Sequence, residues 1–240
     1  MNIIVTLLFA LLGLLSMLPM AAILNRMPAK CFCDYDEQPE ERHAPPRLTP
    51  FQMIICGLLL AAIFALLYLR FGLSVQGIFL MLFAVCLLMI TLSDLRYCII
   101  PDELIVAGTL LAAISVVPNV LTAPTLMQRL SPLIGAFIGA AIIFVINLVG
   151  RLLYKKDALG MGDLKLMAMS GFACGDVGIV MAVLIGFLAA GLFFIVGMLL
   201  KKVRSDQYLP LGPFLVFGVL FVCCLRPAVD ALLAWYIGLL

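Results

Sequence analysis

Charge is scarce in this chain. Acidic and basic residues make up 12% of its 240 positions and hydrophobic residues 65%, where a soluble domain carries roughly 25% charged residues. With a mean hydropathy of +1.25, no soluble core of this size needs so much apolar surface. The class that remains is an all-α polytopic integral membrane protein. Histidine is scarcer still: His43 stands alone, which rules out an HExxH zinc site or a histidine cluster, and its polar loop argues for solvation rather than ligation. Cysteine occurs eight times without forming a disulfide pattern. Cys56, Cys86, Cys174, Cys223 and Cys224 lie inside apolar runs as small packing groups. Cys31 and Cys33 are spaced too tightly for half of a four-cysteine zinc site, and no second pair lies nearby, so no metal is expected.

Apolar segments run over about 3–24, 51–69, 74–92, 104–121, 132–150, 177–200 and 209–225, most of them near the ~20 residues a spanning helix needs. The first lacks a basic leader and is followed by further spans, so it reads as a retained helix rather than a signal peptide. Seven alternating spans would put Lys201, Lys202 and Arg204 on the side opposite Arg151, Lys155 and Lys156. Counting Leu164–Gly175 as an additional short or re-entrant span removes that conflict. Eight spans with both termini outside then place Arg26, Lys30, Arg42, Arg47, Arg96, Arg151, Lys155, Lys156, Lys165, Lys201, Lys202 and Arg204 in the cytoplasm, leaving Arg70, Arg129 and Arg226 outside. Such a bias follows the positive-inside rule. The expected fold is therefore about eight transmembrane helices.

That choice, made only to balance basic residues, also brings two acids to the cytoplasmic face. Asp94 ends an apolar run in SDLRYCIIPDEL, and Asp163 closes GMGD before LKLMAMSGF. Asp94 sits at a helix C-terminus, where the helix dipole disfavours an anion. A local salt bridge to Arg96 would account for it without chemistry; Arg96 could equally face lipid phosphate or the substrate's membrane surface. Pro101 suits a helix start, with Asp102 or Glu103 near the positive end of that helix. Gly160 and Gly162 permit close approach to Asp163, whose plain reading is an N-cap for a helix beginning at Leu164. Lys165 either faces the membrane surface or holds an acid ionised. GMGD lacks the Lys-Ser/Thr of a phosphate-binding loop. Two carboxyls close together titrate apart, one serving as base and the other as acid, which suffices to activate a water.

SDLRYCIIPDEL at 93–104, GMGDLKLMAMSGF at 160–172 and PLGPFL at 210–215, in this order, resemble the type IV prepilin peptidases, membrane aspartyl proteases with a GxGD motif. The resemblance covers roughly residues 85–225. It implies catalytic roles for Asp94 and Asp163, with Gly160, Gly162, Lys165, Arg96 and Pro101 as supporting residues. The implied activity is an endopeptidase of the bacterial inner membrane that removes basic leaders from prepilins or pseudopilins at the cytoplasmic face. Proteolysis would need no cofactor. Many members also methylate the new amino terminus with S-adenosylmethionine, and that second activity is left open here. The bifunctional type carries a Gly-rich, Asn-containing region near the end of the first span and a loop with two CxxC pairs. Here MAAILNRMP at 20–28 keeps Asn25, Arg26 and Pro28, while Cys31 and Cys33 do not form such pairs, so a zinc-supported loop is not expected.

The chain accordingly divides into a first membrane helix (1–24), a short cytoplasmic loop (25–50) lacking paired CxxC, and a helical membrane domain (51–240) that carries the aspartates. In the loop, Pro45 and Pro46 oppose helix before Thr49 caps a new one with Pro50 at its first position. Asp34, Asp36, Glu37, Glu40 and Glu41 would attract a basic leader, or simply form a solvated stretch. The expected partners are a substrate helix with its leader and membrane lipid, with no nucleic acid. The alternative is a proton- or cation-coupled transporter using the same acids. Against it, no internal repeat is evident, and both acids lie near an interface rather than the bilayer midplane.

Overall fold

The structure, a computed structural model, describes residues 3–33, 48–154, 160–201 and 210–237. The five loop acids, His43, the Pro45–Pro46 pair and the basic residues Arg42, Arg47, Lys155, Lys156, Lys202 and Arg204 lie outside the described residues. Among the described residues the regular structure is helical: α1 (Ile3–Arg26), α2 (Pro50–Phe71), α3 (Val75–Tyr97), α4 (Asp102–Thr122), α5 (Leu126–Tyr154), α6 (Met161–Leu199) and α7 (Gly212–Ile237), with one 3-10 turn at Ala29–Phe32. All seven helices are long and apolar enough to cross a membrane.

Helix starts follow local chemistry. Thr49 caps α2 by accepting from the Gln52 amide, Gln52 returns a bond to the Thr49 amide, and Pro50 occupies the first position. This reciprocal arrangement satisfies amides that otherwise lack partners. Ser74 caps α3 in the same sense by accepting from Gly77 at 3.1 Å.

Seven helices make eight apolar segments, because α6 is broken. Its 39 residues would extend ~58 Å as a straight helix, almost twice the ~30 Å hydrocarbon thickness. Gly175 interrupts it with φ 71° and ψ −176°, a backbone region open essentially to glycine alone. The chain reverses there. A Cβ placed on Gly139 of α5 would touch both the Met167 carbonyl and the Ile179 side chain, residues that an unbroken helix would hold ~18 Å apart. The first arm of α6 therefore ends where the sequence places the extra short span, and this is what makes an eight-segment membrane protein.

Backbones meet closely where that arm packs on α5. A Cβ on Gly171 would overlap the Gly135 carbonyl, and one on Gly135 would overlap the Gly171 and Gly175 backbones. Gly135 and Gly139 thus form a small-xxx-small face, the usual means of close helix approach in lipid. Ser131 fastens the reversal by donating to Asp176 at 2.9 Å and accepting from its amide.

The buried apolar cluster centres on α3, where Leu80, Phe83, Leu87 and Ile90 pack beside Leu166, Met167 and Met169 of α6 and Leu215 and Val219 of α7. Large apolar side chains such as Leu188, Phe137 and Leu152 point outward, as lipid contact requires. The central position of α3 carries Asp94 into the interior.

Candidate active site

Three helix ends converge on Asp94 and Asp163. Asp94 lies in the last turn of α3 and Asp163 in the first turn of α6; they are only 5% and 8% exposed. Burial to this degree distinguishes both from interfacial carboxylates that reach water. The two also lie within electrostatic reach of one another. The third end is the start of α7, where Gly212 presents its amide to the Asp94 carboxylate. A Cβ on Gly212 would overlap Asp94 Oδ2, so glycine leaves the room that the carboxylate occupies. Among the described residues, that buried oxygen has no hydrogen-bond partner. A buried acceptor without a donor costs about 1–3 kcal/mol, and a water or substrate group at this point would relieve it.

The turn after α3 is pinned from both sides. Cys98 takes a left-handed conformation (φ 54°, ψ 33°) and returns its amide to the Asp94 carbonyl at 2.9 Å. Ser93, fully buried, donates to the Ile99 carbonyl at 2.8 Å. Burial and then the neighbouring Asp94 carboxylate raise the Cys98 thiol above its ordinary range. Pro101 occupies the cap of α4, as its fixed φ favours. Gly162 meets Ile100 from the other side, since a Cβ there would lie 3.1 Å from Ile100 Cβ. The GMGD turn and the Ile-Pro turn are thereby packed face to face.

Asp163 is not the N-cap. Gly160 is, α6 begins at Met161, and Asp163 stands at the third helical position. From there its carboxylate reaches back to the Gly160 amide, as the acid of a capping box does. Gly160 has room for this, since a Cβ there would sit 3.7 Å from Asp163 Oδ2. Lys165 forms a salt bridge with Asp102 at 2.7 Å, tying α6 to the start of α4. Both partners are well exposed, so the tie contributes at most about 1 kcal/mol. Arg96 is exposed, with its guanidinium 5.6 Å from the Tyr97 ring.

Sequence reasoning left three neighbours of the site without roles. Gly212 was visible only as part of PLGPFL. Phe32 is fully buried against Tyr97, with ring centroids 4.9 Å apart. Cys31 contacts Glu103 of α4; burial first, then that carboxylate, push its thiol up to about 11. Cys33 bonds instead to the Ala29 carbonyl at 3.2 Å. The CFC segment thus rests on the turn between α3 and α4, and a buried phenylalanine between two cysteines was the one hint available. No three Cys, His, Asp or Glu side chains among the described residues are grouped to hold a metal ion.

Residues 81–196 match the type IV leader peptidase family. The chain is 27% identical over 149 residues to a prepilin leader peptidase/N-methyltransferase of Xanthomonas campestris pv. campestris, covering 62% of this chain and 50% of the relative. It is 27% identical over 169 residues to a protein of the same description from Legionella pneumophila, covering 70% and 56%. The chain thus spans about half the length of the curated relatives it matches. No solved structure matches. Both buried aspartates, the GMGD turn and the break at Gly175 fall within the matched residues, and over this region the chain is similar to the type IV leader peptidase family.

Proposed function

We propose that this protein is an aspartic endopeptidase that cleaves the basic leader from a prepilin or pseudopilin, with Asp94 and Asp163 as its catalytic pair. The observation that carries this reading is the meeting of two buried carboxyls at one end of the helix bundle. One carboxylate takes a proton from a water as the water oxygen attacks the scissile carbonyl carbon. The other, protonated, donates to the carbonyl oxygen, and the resulting tetrahedral species collapses as the nitrogen of the departing peptide takes a proton. The attacking water would be held at Asp94 Oδ2, a buried oxygen that lacks a protein donor among the described residues.

The substrate in this reading is a single apolar helix whose leader lies on the aspartate side of the membrane. The balance of basic residues supports assigning that side to the cytoplasm of a bacterial inner membrane, with residues 25–50 as a cytoplasmic loop. Gly160 and Gly162 shape the approach to Asp163, Pro101 fixes the start of α4, and Lys165 holds α4 beside α6. Arg96 stands outside the buried pair, at the surface where substrate and headgroups meet. A transporter reading is less well supported, because the pair lies at helix ends rather than within the spans' midsections.

The relatives' description includes N-methyltransferase. In the described stretch after α1, Phe32 is packed on Tyr97 and Cys31 turns onto Glu103. Incubating the detergent-purified protein with a tagged prepilin and weighing both products tests the peptidase reading: two fragments divided at the leader boundary are expected, and an intact substrate would refute it. Adding S-adenosylmethionine to the same mixture reports any 14-dalton gain as a separate result.

Gly212 supplies an independent check. Gly212→Ala places a methyl group against Asp94 Oδ2 and is expected to lower the cleavage rate about 10²-fold, the scale of a misplacement of ~1 Å. Gly191→Ala, where nothing lies within 4 Å, should leave the rate unchanged.

A further inference from the structure

A second polar site lies at the opposite end of the bundle. Arg70, at the end of α2, and Arg226, in α7, line one half-buried pocket with Gln76, Leu80, Cys174 and Cys223. Along α3, Gln76 lies eighteen residues from Asp94, which is ~27 Å of helix and close to the ~30 Å hydrocarbon thickness. The pocket therefore opens at the membrane face away from the aspartates.

Both arginines are fixed by broken helices. Pro227 has no amide to offer the Cys223 carbonyl four residues earlier, and α7 departs from helical torsions at Leu225. Arg70 Nη1 donates to the Val222 carbonyl at 3.2 Å and to the freed Cys223 carbonyl. Arg226 Nη1 donates at 2.8 Å to the carbonyl of Cys174, where α6 breaks, and its Nε donates to Asp230 at 2.8 Å. Each guanidinium is thus held in place by one nitrogen or two, with Nη2 of both and Nε of Arg70 unused among the described residues. Carbonyl capping explains why arginines are present. It does not explain why two like charges share one pocket with a single, largely exposed acid, Asp230, on its rim.

We propose that this pocket binds the headgroup phosphate of an anionic phospholipid. Two guanidiniums offset by one carboxylate leave one net positive charge, which matches a phosphodiester with one negative charge. Planar guanidiniums suit phosphate oxygens geometrically, and the Gln76 amide supplies a neutral donor. The lipid source is favoured over a free phosphoester by position: the exposed side chains Leu73 and Val75 stand in sequence between the lining residues Phe71 and Gln76, at the level where acyl chains would run. A zwitterionic headgroup gains less, because the acid available to its ammonium is already bonded to Arg226.

Native mass spectrometry of the full chain released from detergent, titrated with phosphatidylglycerol, phosphatidylcholine or glycerol 3-phosphate, tests this site. Phosphatidylglycerol is expected to bind at least ~10-fold more tightly than either comparator, a difference of about 1.4 kcal/mol. Gln76→Glu, which keeps both carbonyl-capping arginines, should abolish that preference, and Arg226→Gln should do the same if it remains folded. Glycerol 3-phosphate binding as tightly as the lipid would overturn the lipid assignment. An unchanged preference in Gln76→Glu would overturn the site.

Discussion

Asp94→Asn and Asp163→Asn are each expected to lower the rate of prepilin cleavage by about 10³-fold or more, the scale seen when an essential acid or base is removed. Asparagine keeps the size of the side chain and so preserves the packing of Gly212 on Asp94 and of the GMGD turn on Ile100. What it removes is the capacity to exchange a proton. Stability should hold or rise, because a neutral amide is cheaper to bury than a carboxylate. Circular dichroism and thermal melting of the purified variants separate this outcome from misfolding. Binding of an uncleaved prepilin should persist, since in the proposed mechanism the substrate's apolar helix packs on the spans rather than on the two acids.

Gly171→Leu is expected to have an equally large effect by another route. The new Cβ would overlap the Gly135 backbone carbonyl, and backbone cannot rotate aside as a side chain can. The first arm of α6 would have to leave α5, carrying Asp163 with it. Overpacking of this kind costs about 3 kcal/mol, a large share of the stability of a typical domain. Accumulation in membranes and survival of heating, followed by size-exclusion chromatography, should both fall sharply. Gly191→Leu, which meets open space, should match the parent protein. Equal heat resistance in Gly171→Leu would show that the α5–α6 crossing is looser than described.

The spans were legible because lipid demands long apolar helices, and no other element satisfies the backbone there. Even the broken helix could be read. Seven runs gave an inconsistent charge pattern, and the short span invoked to mend it ends at Gly175, the residue whose torsions break α6. Thr49 and Pro50 likewise announced the start of α2 through cap chemistry that depends on neighbours in sequence.

Contacts between distant segments were less accessible. Nothing local in PLGPFL says that Gly212 lies against Asp94, because that requires the relative heights of α3 and α7. The salt bridge considered between Asp94 and Arg96 looked natural from two residues of separation, yet Asp94 points inward and Arg96 outward, as residues two apart on a helix do. Assigning Arg70 and Arg226 to the outer side caught their shared membrane level without revealing the pocket between them. Their roles depend on carbonyls freed at Leu225 and Gly175, and a kink's unpaired groups are visible only once the helices are packed.

Single-turnover cleavage of one prepilin by the parent protein, Asp94→Asn, Asp163→Asn and the double variant tests the shared-water mechanism most directly. If the two carboxyls act as a unit on one water, either single change removes nearly all of the acceleration, and the double variant is no slower than the worse single. Cleavage near the parent rate in either single variant, or losses that multiply in the double, would contradict a joint role for Asp94 and Asp163.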